Sequence, residues 1–212
     1  MVNPKANHPS LMVIQPAYRL IASSPRLRQA IIPEGLQTSP YEVLDYDATL
    51  VLHDDRGAKA TFQRKQRIRF TQDGVAAILD HAWGDGIILT NYWHSAGALS
   101  DTFKEQGHRH LVVDLKRAMG RGEILSFDVE RQVMESFTRD HGTVETVIDH
   151  PIENLRRSVI FPKQRPVLEA TLRVGDEAKS LPIVHLADGR TAVIINVAWP
   201  QAHVTYAVEW AW

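Results

Sequence analysis

The clearest structural signal in the chain is LDYDATLVLHDDRGAKATFQRKQRIRF, which runs from residue 44 to residue 70. Apolar and polar residues alternate on both sides of the turn sequence DDRG, and a period of two is typical of strands with one buried face. A three-residue loop with Gly57 in the left-handed conformation would join the two halves. The stretch therefore predicts a long antiparallel hairpin.

The register of this hairpin follows from its apolar face. With the three-residue loop in place, Leu50 faces Phe62 and Leu44 faces Ile68. A slip of one residue would move the whole apolar set to the solvent side, so one buried face specifies the register strongly. We expect this face to contribute to the core.

The other face of the hairpin carries the basic run RKQRIR, residues 64–69. The same register places Asp45 opposite Arg67 and Asp47 opposite Lys65. Because opposite charges stabilise a sheet across strands, we interpret the run as a solvated face of paired charges. The alternative hypothesis is a basic, phosphate-binding surface made of Lys65, Arg67 and Arg69.

Similar patterns continue along the chain after Tyr41, with glycine-containing turn sequences at 84–86, 120–122 and 187–190. Ten or more short strands joined as hairpins indicate an all-β domain over residues 41–212. We favour an antiparallel β-sandwich over a barrel. The link FPKQRP, residues 161–166, leaves open two stacked β-subdomains divided near residues 150–165.

The C-terminal part contains two further signals. The segment 181–199 predicts a hairpin across Asp188-Gly189, with Ile183 opposite Ile194. The last strand, HVTYAVEWAW, alternates cleanly and should bury Trp212. In the pair RR at 156–157, at least one arginine must face solvent or a carboxylate.

Residues 1–40 differ from the rest because prolines are frequent there. Within this extension, SSPRLRQAII predicts one short helix, with Ser24 as N-cap and Pro25 at the first helical position. We expect a helical and extended arm that packs on the domain or on a partner.

The segment HAWGDGIILTNYW, residues 81–93, is rich in aromatic residues. We interpret Asp85-Gly86 as a two-residue hairpin turn, which places Leu79 opposite Tyr92. Both faces of this hairpin carry large apolar groups, so it is buried on both sides or presents a binding surface. The aromatic candidates for that surface, including a small-molecule or sugar site, are Trp83, Tyr92 and Trp93.

The segment GHRHLVVDLKRAMGRGEILSFDVERQ, residues 107–132, holds the best candidate for chemistry. A hairpin around GRG would place Asp114 opposite Asp128. The sequence His-x-His on a strand points both imidazoles the same way, as a metal site requires. The metal ligands would be His108, His110 and Asp114, and the acid–base group Asp128 or Glu130.

This spacing is similar to the first metal motif of cupins, with Asp114 in place of Glu. The second cupin motif, with its glycine and late histidine, is missing from the C-terminal half, so no family is assigned. An ordinary polar outer face explains the same residues, and we favour that interpretation.

The composition argues against several classes of function. The 212 residues include 24 Lys+Arg and 25 Asp+Glu, and a formal net charge of -1 argues against nucleic-acid binding. The chain has no cysteine, which excludes a disulfide scaffold and a cysteine nucleophile. No stretch approaches the ~20 apolar residues of a spanning helix. We expect a cytoplasmic protein that does not enter membranes.

These features favour a non-catalytic β-sandwich binding module, an accessory or regulatory protein that needs no cofactor. Its protein partner would be bound through the N-terminal arm or an exposed sheet edge. The low net charge also leaves homo-oligomers open. The alternative is a metal-dependent, barrel-type enzyme that uses the His-x-His-x3-Asp site and a divalent metal.

Overall fold

The computed structural model describes residues 40–82, 87–105, 108–148 and 151–212. Within these ranges the chain forms fourteen strands and no helix, so the predicted all-β class is confirmed. The predicted arm and its helix lie outside the described residues, and no helix in the described part could cross a bilayer. The strands are β1 (Tyr41–Leu52), β2 (Lys59–Phe70), β3 (Val75–Ala82), β4 (Ile87–His94), β5 (Ala98–Glu105), β6 (His108–Met119), β7 (Ile124–Met134), β8 (His141–Val147), β9 (Ile152–Phe161), β10 (Glu169–Val174), β11 (Glu177–Ser180), β12 (Ile183–His185), β13 (Thr191–Ala198) and β14 (Thr205–Ala211).

The strands form three sheets. A seven-stranded sheet has the order β12-β13-β9-β1-β2-β7-β4, a four-stranded sheet the order β11-β10-β14-β8, and a three-stranded sheet the order β3-β6-β5. Neighbours in these sheets are antiparallel except for β1 and β9, which are parallel. The sheets pack against one another as layers, as in a sandwich.

Two hydrophobic cores lie between the large sheet and the two small sheets. One end of the large sheet packs on the four-stranded sheet, and its other end packs on the three-stranded sheet. Both small sheets therefore cover the same face of the large sheet, which we call its inner face. Representative members of the first core are Leu50, Phe161 and Trp210, and of the second core Ile68, Val113 and Phe127.

The predicted hairpin of β1 and β2 is confirmed. Gly57 is the last residue of the predicted three-residue loop, and its φ is 68°, as that loop requires. A β-carbon at this glycine would also overlap the backbone carbonyl of Phe137. The confirmed pairs are Leu50–Phe62, Asp45–Arg67 and Asp47–Lys65.

The pairing of Leu44 with Ile68 is wrong, because β1 has a bulge between Val43 and Asp45. A bulge inserts one residue into a strand and changes which side chains share a face. Val43 faces Ile68 instead, and Leu44 is the additional buried residue. The bulge thereby lets β1 place both Val43 and Tyr46 on the inner face, with Val43 buried and Tyr46 half-buried.

The predicted hairpin over residues 79–92 is also wrong. Leu79 of β3 pairs with Val112 in the three-stranded sheet, whereas Trp93 of β4 pairs with Glu130 in the large sheet. The segment carries large apolar groups on both faces, so its sequence pattern does not specify which strands pair. Strands β3 and β4 belong to different sheets. The proposed turn residues and Trp83 lie outside the described residues.

The predicted hairpin over residues 107–132 fails in the same way. Strand β6 lies between β3 and β5, and β7 lies between β2 and β4. Asp114 pairs with Ala77 and Ala98, whereas Asp128 pairs with Lys65, so the two carboxylates are not opposite each other. The apolar residues of both strands do share one core, but they meet across two layers rather than along a hairpin.

The C-terminal predictions hold apart from one register. The hairpin of β12 and β13 pairs Ile183 with Val193, one residue from the prediction, because Gly189 with a φ of 83° extends the loop to three residues. Strand β14 has the predicted alternation. Trp212 is buried, and its indole Nε1 donates to the carbonyl of Arg139 at 2.8 Å.

Candidate functional site

A cleft of about 1370 Å³ opens between the two small sheets, above the inner face of the large sheet. Its walls are the edge strands β3 and β8, and its floor belongs to β1, β2, β7 and β9. Consecutive residues line it, 78–81 in β3 and 141–147 in β8. Side chains of consecutive residues in a strand point to opposite faces. A cavity lined by consecutive residues therefore borders the edge of the strand, here the free edges of β3 and β8. We call this cavity the inter-sheet cleft.

Three arginine side chains stand on the floor of the inter-sheet cleft, Arg64 of β2, Arg131 of β7 and Arg157 of β9. Their strands place them on the inner face, where Arg131 is opposite Phe62 and Arg157 is opposite Ala48. The neighbouring inner-face positions are mostly apolar, with Gln66 next to Arg64 as an exception. Cations in such surroundings are costly unless they are paired or hydrogen-bonded.

Asp80 of β3 faces these arginines. Its carboxylate accepts a hydrogen bond from Arg64 Nη1 at 2.8 Å and another from the Tyr92 hydroxyl at 2.9 Å. Burial by itself would raise the pKa of Asp80, but the charges of Arg64 and Arg131 outweigh burial and hold this pKa below its usual value. Asp80 is therefore ionised at neutral pH.

Arg64 and Arg131 share this carboxylate unequally. Burial disfavours the Arg64 charge, but Asp80 outweighs that effect and raises the pKa of Arg64. Burial lowers the pKa of Arg131, whose guanidinium lies 4.6 Å from the centre of the Phe62 ring. Its Nη1 donates to the carbonyl of His81 at 3.3 Å. On the floor, three guanidinium groups stand against one carboxylate, an excess of two positive charges. The rest of the lining is acidic, with Arg139 against Glu135, Glu145, Glu169 and Glu209.

Arg157 is the least compensated of the three. Its exposed fraction is 4%, and Nη2 donates to the carbonyl of Glu145 at 3.4 Å. Nε and Nη1 have no hydrogen-bond partner among the described residues, and the same holds for the buried hydroxyl of Thr146. Burial lowers the pKa of Arg157, and the Tyr46 hydroxyl partly offsets this effect, by its charge and by hydrogen bonding to the guanidinium. The Arg157 Cζ also lies 5.2 Å from the centre of the Phe62 ring. The floor thus offers unused donors on a buried cation.

This arrangement suits an anion. A guanidinium presents a planar fork that matches a carboxylate or a phosphate with two parallel hydrogen bonds. Arg157 keeps two N–H positions available for such a group, and Thr146 of β8 offers a hydroxyl nearby on the wall. The arginine floor of the inter-sheet cleft, though not its acidic rim, can therefore attract an acidic group by charge and fix it by hydrogen-bond geometry.

His94 of β4 lies close to this network but is held neutral. Its ring stacks on Phe127 at 4.6 Å, and its Nδ1 accepts a hydrogen bond from the amide of Ala96 at 3.2 Å. Burial lowers the pKa of His94 to about 4. His94 therefore adds no positive charge to this network at neutral pH.

The predicted basic surface lies on the outer face of the large sheet, away from the inter-sheet cleft. Arg67 contacts Asp45 at 2.8 Å, and Arg69 contacts Glu42 at 2.6 Å. Lys65 is exposed on the same face, opposite Asp47. The predicted ion pair of Asp45 and Arg67 is confirmed, whereas Asp47 contacts Arg156 at 3.7 Å and only the backbone register places it opposite Lys65. The binding role of the surface stays a prediction.

The aromatic candidates are separated by the pleat of β4. Tyr92 points inward and binds Asp80, whereas Trp93 has an exposed fraction of 54%. The structure thus brings Tyr92 into the arginine network and leaves Trp93 on the outer face. Trp83 lies outside the described residues.

The residues of the metal hypothesis are distributed over two sheets. His110 and Asp114 lie on β6, where the His110 ring stacks on Phe103 at 4.8 Å and meets His81 at 4.7 Å. His110 and His81 also border the inter-sheet cleft. The side chain of His108 is not among those described. In the described part of the chain, no three His, Asp or Glu side chains approach closely enough to hold a metal.

The two acid–base candidates belong to the large sheet. Asp128 and Glu130 lie on β7, opposite Lys65 and Gln63, and Glu130 accepts a hydrogen bond from Gln63 at 3.1 Å. They are thus in a different sheet from His110 and Asp114. The metal-dependent alternative stays a prediction, which the metal content of the purified protein would test.

The sequence-based placement of Arg64 in the solvated run 64–69 is wrong, because Arg64 faces inward and contacts Asp80; Arg131 was missed, and Arg157 was left undecided. The sequence contained a signal for these arginines. Each arginine stands two residues from an apolar residue of a buried face, as in Phe62-x-Arg64 and Val129-x-Arg131. Charges at inward positions break the pattern of a buried face. Of the pair at 156–157, Arg156 faces outward near Asp47 and Arg157 faces inward.

Comparisons with known proteins give no family. No protein-family model and no curated protein matches the chain. Among solved structures, the M1 zinc metallopeptidase from Deinococcus radiodurans is similar with a TM-score of 0.48 and 10% identity, over 80% of this chain. A mutant of a two-domain M1 zinc metallopeptidase bound to L-tryptophan gives a TM-score of 0.49 and 10% identity, over 81% of this chain. The chain spans 42% and 43% of the lengths of these structures, and so distant a likeness carries no conclusion about function.

Proposed function

We propose that the protein is a non-catalytic binding module that recognises an acidic group of its partner in the inter-sheet cleft. The observation that carries this proposal is Arg157, a buried cation with two N–H positions unused at the floor of an open cleft. Arg64 and Arg131 add positive charge beside it, and Asp80 offsets only part of that charge.

The energetic reason is the cost of burying charge. A buried cation without a carboxylate partner lowers stability by several kcal/mol, and packed hydrophobic residues at the same position are often more stable. Proteins depart from such rules chiefly at functional sites. An incoming carboxylate or phosphate would complete the hydrogen bonds of Arg157 and offset the excess charge.

This function agrees with the binding role that the sequence predicts, and it adds a chemical requirement for the partner. An accessory or regulatory protein of the cytoplasm would use the inter-sheet cleft to hold an acidic feature of another molecule. Recognition of this kind requires no cofactor.

The test uses simple anions as probes. We expect inorganic phosphate or glutarate to bind the full chain saturably in calorimetry at low ionic strength and to raise its melting temperature. The Arg157→Met variant should lose this binding. The Arg156→Met variant is the matched control, because Arg156 is the adjacent arginine on the outward face of the same strand.

Two results would contradict this function. One is the absence of saturable binding of either anion to the unaltered chain at millimolar concentrations. The other is equal binding by the Arg157→Met and Arg156→Met variants, which would locate anion binding elsewhere on the surface.

A further inference from the structure

The three sheets have six edge strands, and exposed edges invite pairing with other chains unless they are protected. Protection usually takes the form of shortness, charge, bulges or inward-pointing charges. Strand β12 has three residues, and β11 has four residues that include Glu177 and Lys179. Strand β12 is therefore protected by its shortness, and β11 by its shortness and its charged side chains.

Three other edges are interrupted. Strand β4 changes register twice along its ladder with β7, and Asn91 within it has a φ of 52°. Strand β5 changes register between Leu99 and Asp101. Strand β3 has a register shift near its start and carries the inward-pointing Asp80. Each of these features hinders regular pairing with a further strand.

Strand β8 carries one exposed charge, Glu145, but it lacks the register shifts, the positive φ and the inward-pointing charge of these three edges. It pairs with β14 through seven consecutive residues without a register shift, and its sequence HGTVETV contains no proline and no lysine. Its other edge makes no ladder with any described strand. All seven residues line the inter-sheet cleft, those of both faces alike, so the free edge itself borders the cleft.

The free edge of β8 meets the arginine floor at one point. Arg157 Nη2 donates to the carbonyl of Glu145, near the middle of β8. The adjacent Thr146 points inward with its hydroxyl unused. A strand added beside β8 would therefore pass directly over Arg157, and one of its side chains would point at the guanidinium.

We infer that the inter-sheet cleft binds an extended peptide segment, which adds as a further strand to β8 and places an acidic side chain on Arg157. This inference rests on the proposed function and names the partner's chemistry. Backbone hydrogen bonds supply affinity in such strand addition, and alternate side chains supply specificity. The volume of about 1370 Å³ exceeds the roughly 300–1,000 Å³ of typical small-molecule pockets, as a peptide requires.

The experiment measures binding of four pools of capped, fluorescent heptapeptides to the full chain by anisotropy. The first pool has a central Glu and Val, Thr, Ile or Ser elsewhere, and the second has Gln at the centre. The third and fourth repeat the Glu pool with N-methyl groups on the odd-numbered or the even-numbered amides. Proteins for comparison are the unaltered chain, Arg157→Met and Arg156→Met.

We expect the Glu pool to bind at least tenfold more tightly than the Gln pool. Arg157→Met should abolish that difference, and Arg156→Met should retain it. Only one of the two methylated pools should lose binding, by tenfold or more, since a paired strand uses alternate amides toward its neighbour. Hydrogen exchange at residues 141–147 should slow when the Glu pool is added.

Three outcomes would overturn the inference. They are no saturable binding of any pool, equal effects of the two methylation patterns, or a dimer in sedimentation that already protects β8. If phosphate or glutarate still binds in an Arg157-dependent way, the proposed function stands and only the peptide is excluded. Loss of both kinds of binding would remove the proposed function as well.

Discussion

Arg157 combines burial with an incomplete set of hydrogen bonds, and that combination predicts its effect on stability. We expect Arg157→Met to raise the free energy of unfolding by about 1–4 kcal/mol, because it removes a buried charge that lacks a carboxylate partner. Urea denaturation measures the change. Arg156→Met should alter stability by only about 0.5 kcal/mol. A destabilised Arg157→Met variant would show that Arg157 contributes mainly through packing.

Asp80 has the opposite role in the same network. Asp80→Asn should lower the free energy of unfolding by about 3–5 kcal/mol, because it leaves the buried Arg64 charge without its counter-ion. The same urea series measures it, and Asp45→Asn on the exposed Arg67 pair is the control, with an expected loss below about 1 kcal/mol. Equal effects of the two substitutions would contradict the importance of burial.

His94 makes stability depend on pH. Its folded pKa of about 4 lies below the ordinary value of 6.5, so between these values the unfolded chain binds a proton that the folded chain does not. Stability from this group is therefore complete above pH 6.5 and is lost as the pH falls toward 4. The loss between pH 7 and pH 5 should be about 2 kcal/mol.

Urea denaturation at both pH values measures this loss. His94→Gln keeps a side-chain acceptor near Ala96 but does not titrate, so its pH dependence over this interval should be smaller by the same amount. An unchanged pH dependence in this variant would assign the effect to other histidines.

At the residue scale, the outward charges were predictable and the inward ones were not. The pairing of Asp45 with Arg67 follows from one hairpin register, which is local information. The partner of Arg64 is Asp80 in another sheet. That contact depends on how two layers stack, and alternation along one strand contains no information about stacking.

At the element scale, Gly142 shows how closely β8 packs on β14. A β-carbon at this position would overlap the indole of Trp210, with Cε2 at 2.7 Å, and Trp210 is itself held by Phe137 and Phe161. Gly142→Ala should therefore cost about 1–3 kcal/mol through overpacking. Thermal unfolding and the near-ultraviolet spectrum of tryptophan measure it.

Gly120→Ala is the control for this substitution, because a β-carbon there meets nothing closer than 3.5 Å. It should change stability little. If Gly142→Ala were equally neutral, β8 could move away from Trp210 without cost, and the regular edge on the inter-sheet cleft would be less rigid than the structure indicates.

Strand existence was predictable from period-two patterns, whereas strand pairing was predictable only for short connections with clear turns. The β1–β2 and β12–β13 hairpins both formed, with a bulge in β1 and a register one residue from the prediction between β12 and β13. The pairs β3–β4 and β6–β7 did not, because an apolar face can be buried by a neighbour in the same sheet or by a facing sheet. Sequence alternation is the same in both cases.

At the scale of the whole molecule, Trp212 joins segments that are distant in sequence. Its ring meets Phe161 at 5.8 Å and carries the Arg165 guanidinium at 4.1 Å. Trp212→Ala should cost about 3–5 kcal/mol, measured by urea denaturation. Trp199→Ala, at a tryptophan with an exposed fraction of 72%, should be nearly neutral. Comparable losses would mean that burial does not separate these two tryptophans.

The inter-sheet cleft also belongs to this scale, since no single element contains it. Its floor comes from the large sheet, one wall from β3 and the other from β8. The charge excess arises only when Arg64, Arg131 and Arg157 are brought onto one face by β2, β7 and β9.

The sequence by itself determined the all-β class, the hairpin around Gly57, the paired charges of the outer face and the burial of Trp212. These properties depend on side chains that alternate along a strand or lie across one tight turn. The tertiary structure alone decided which strands share a sheet, where Asp80 meets Arg64, and that Arg157 opens into a cleft beside a free edge. An apolar strand face is stabilised by burial against any apolar neighbour. Only the packing of the complete sheets decides which neighbour covers it.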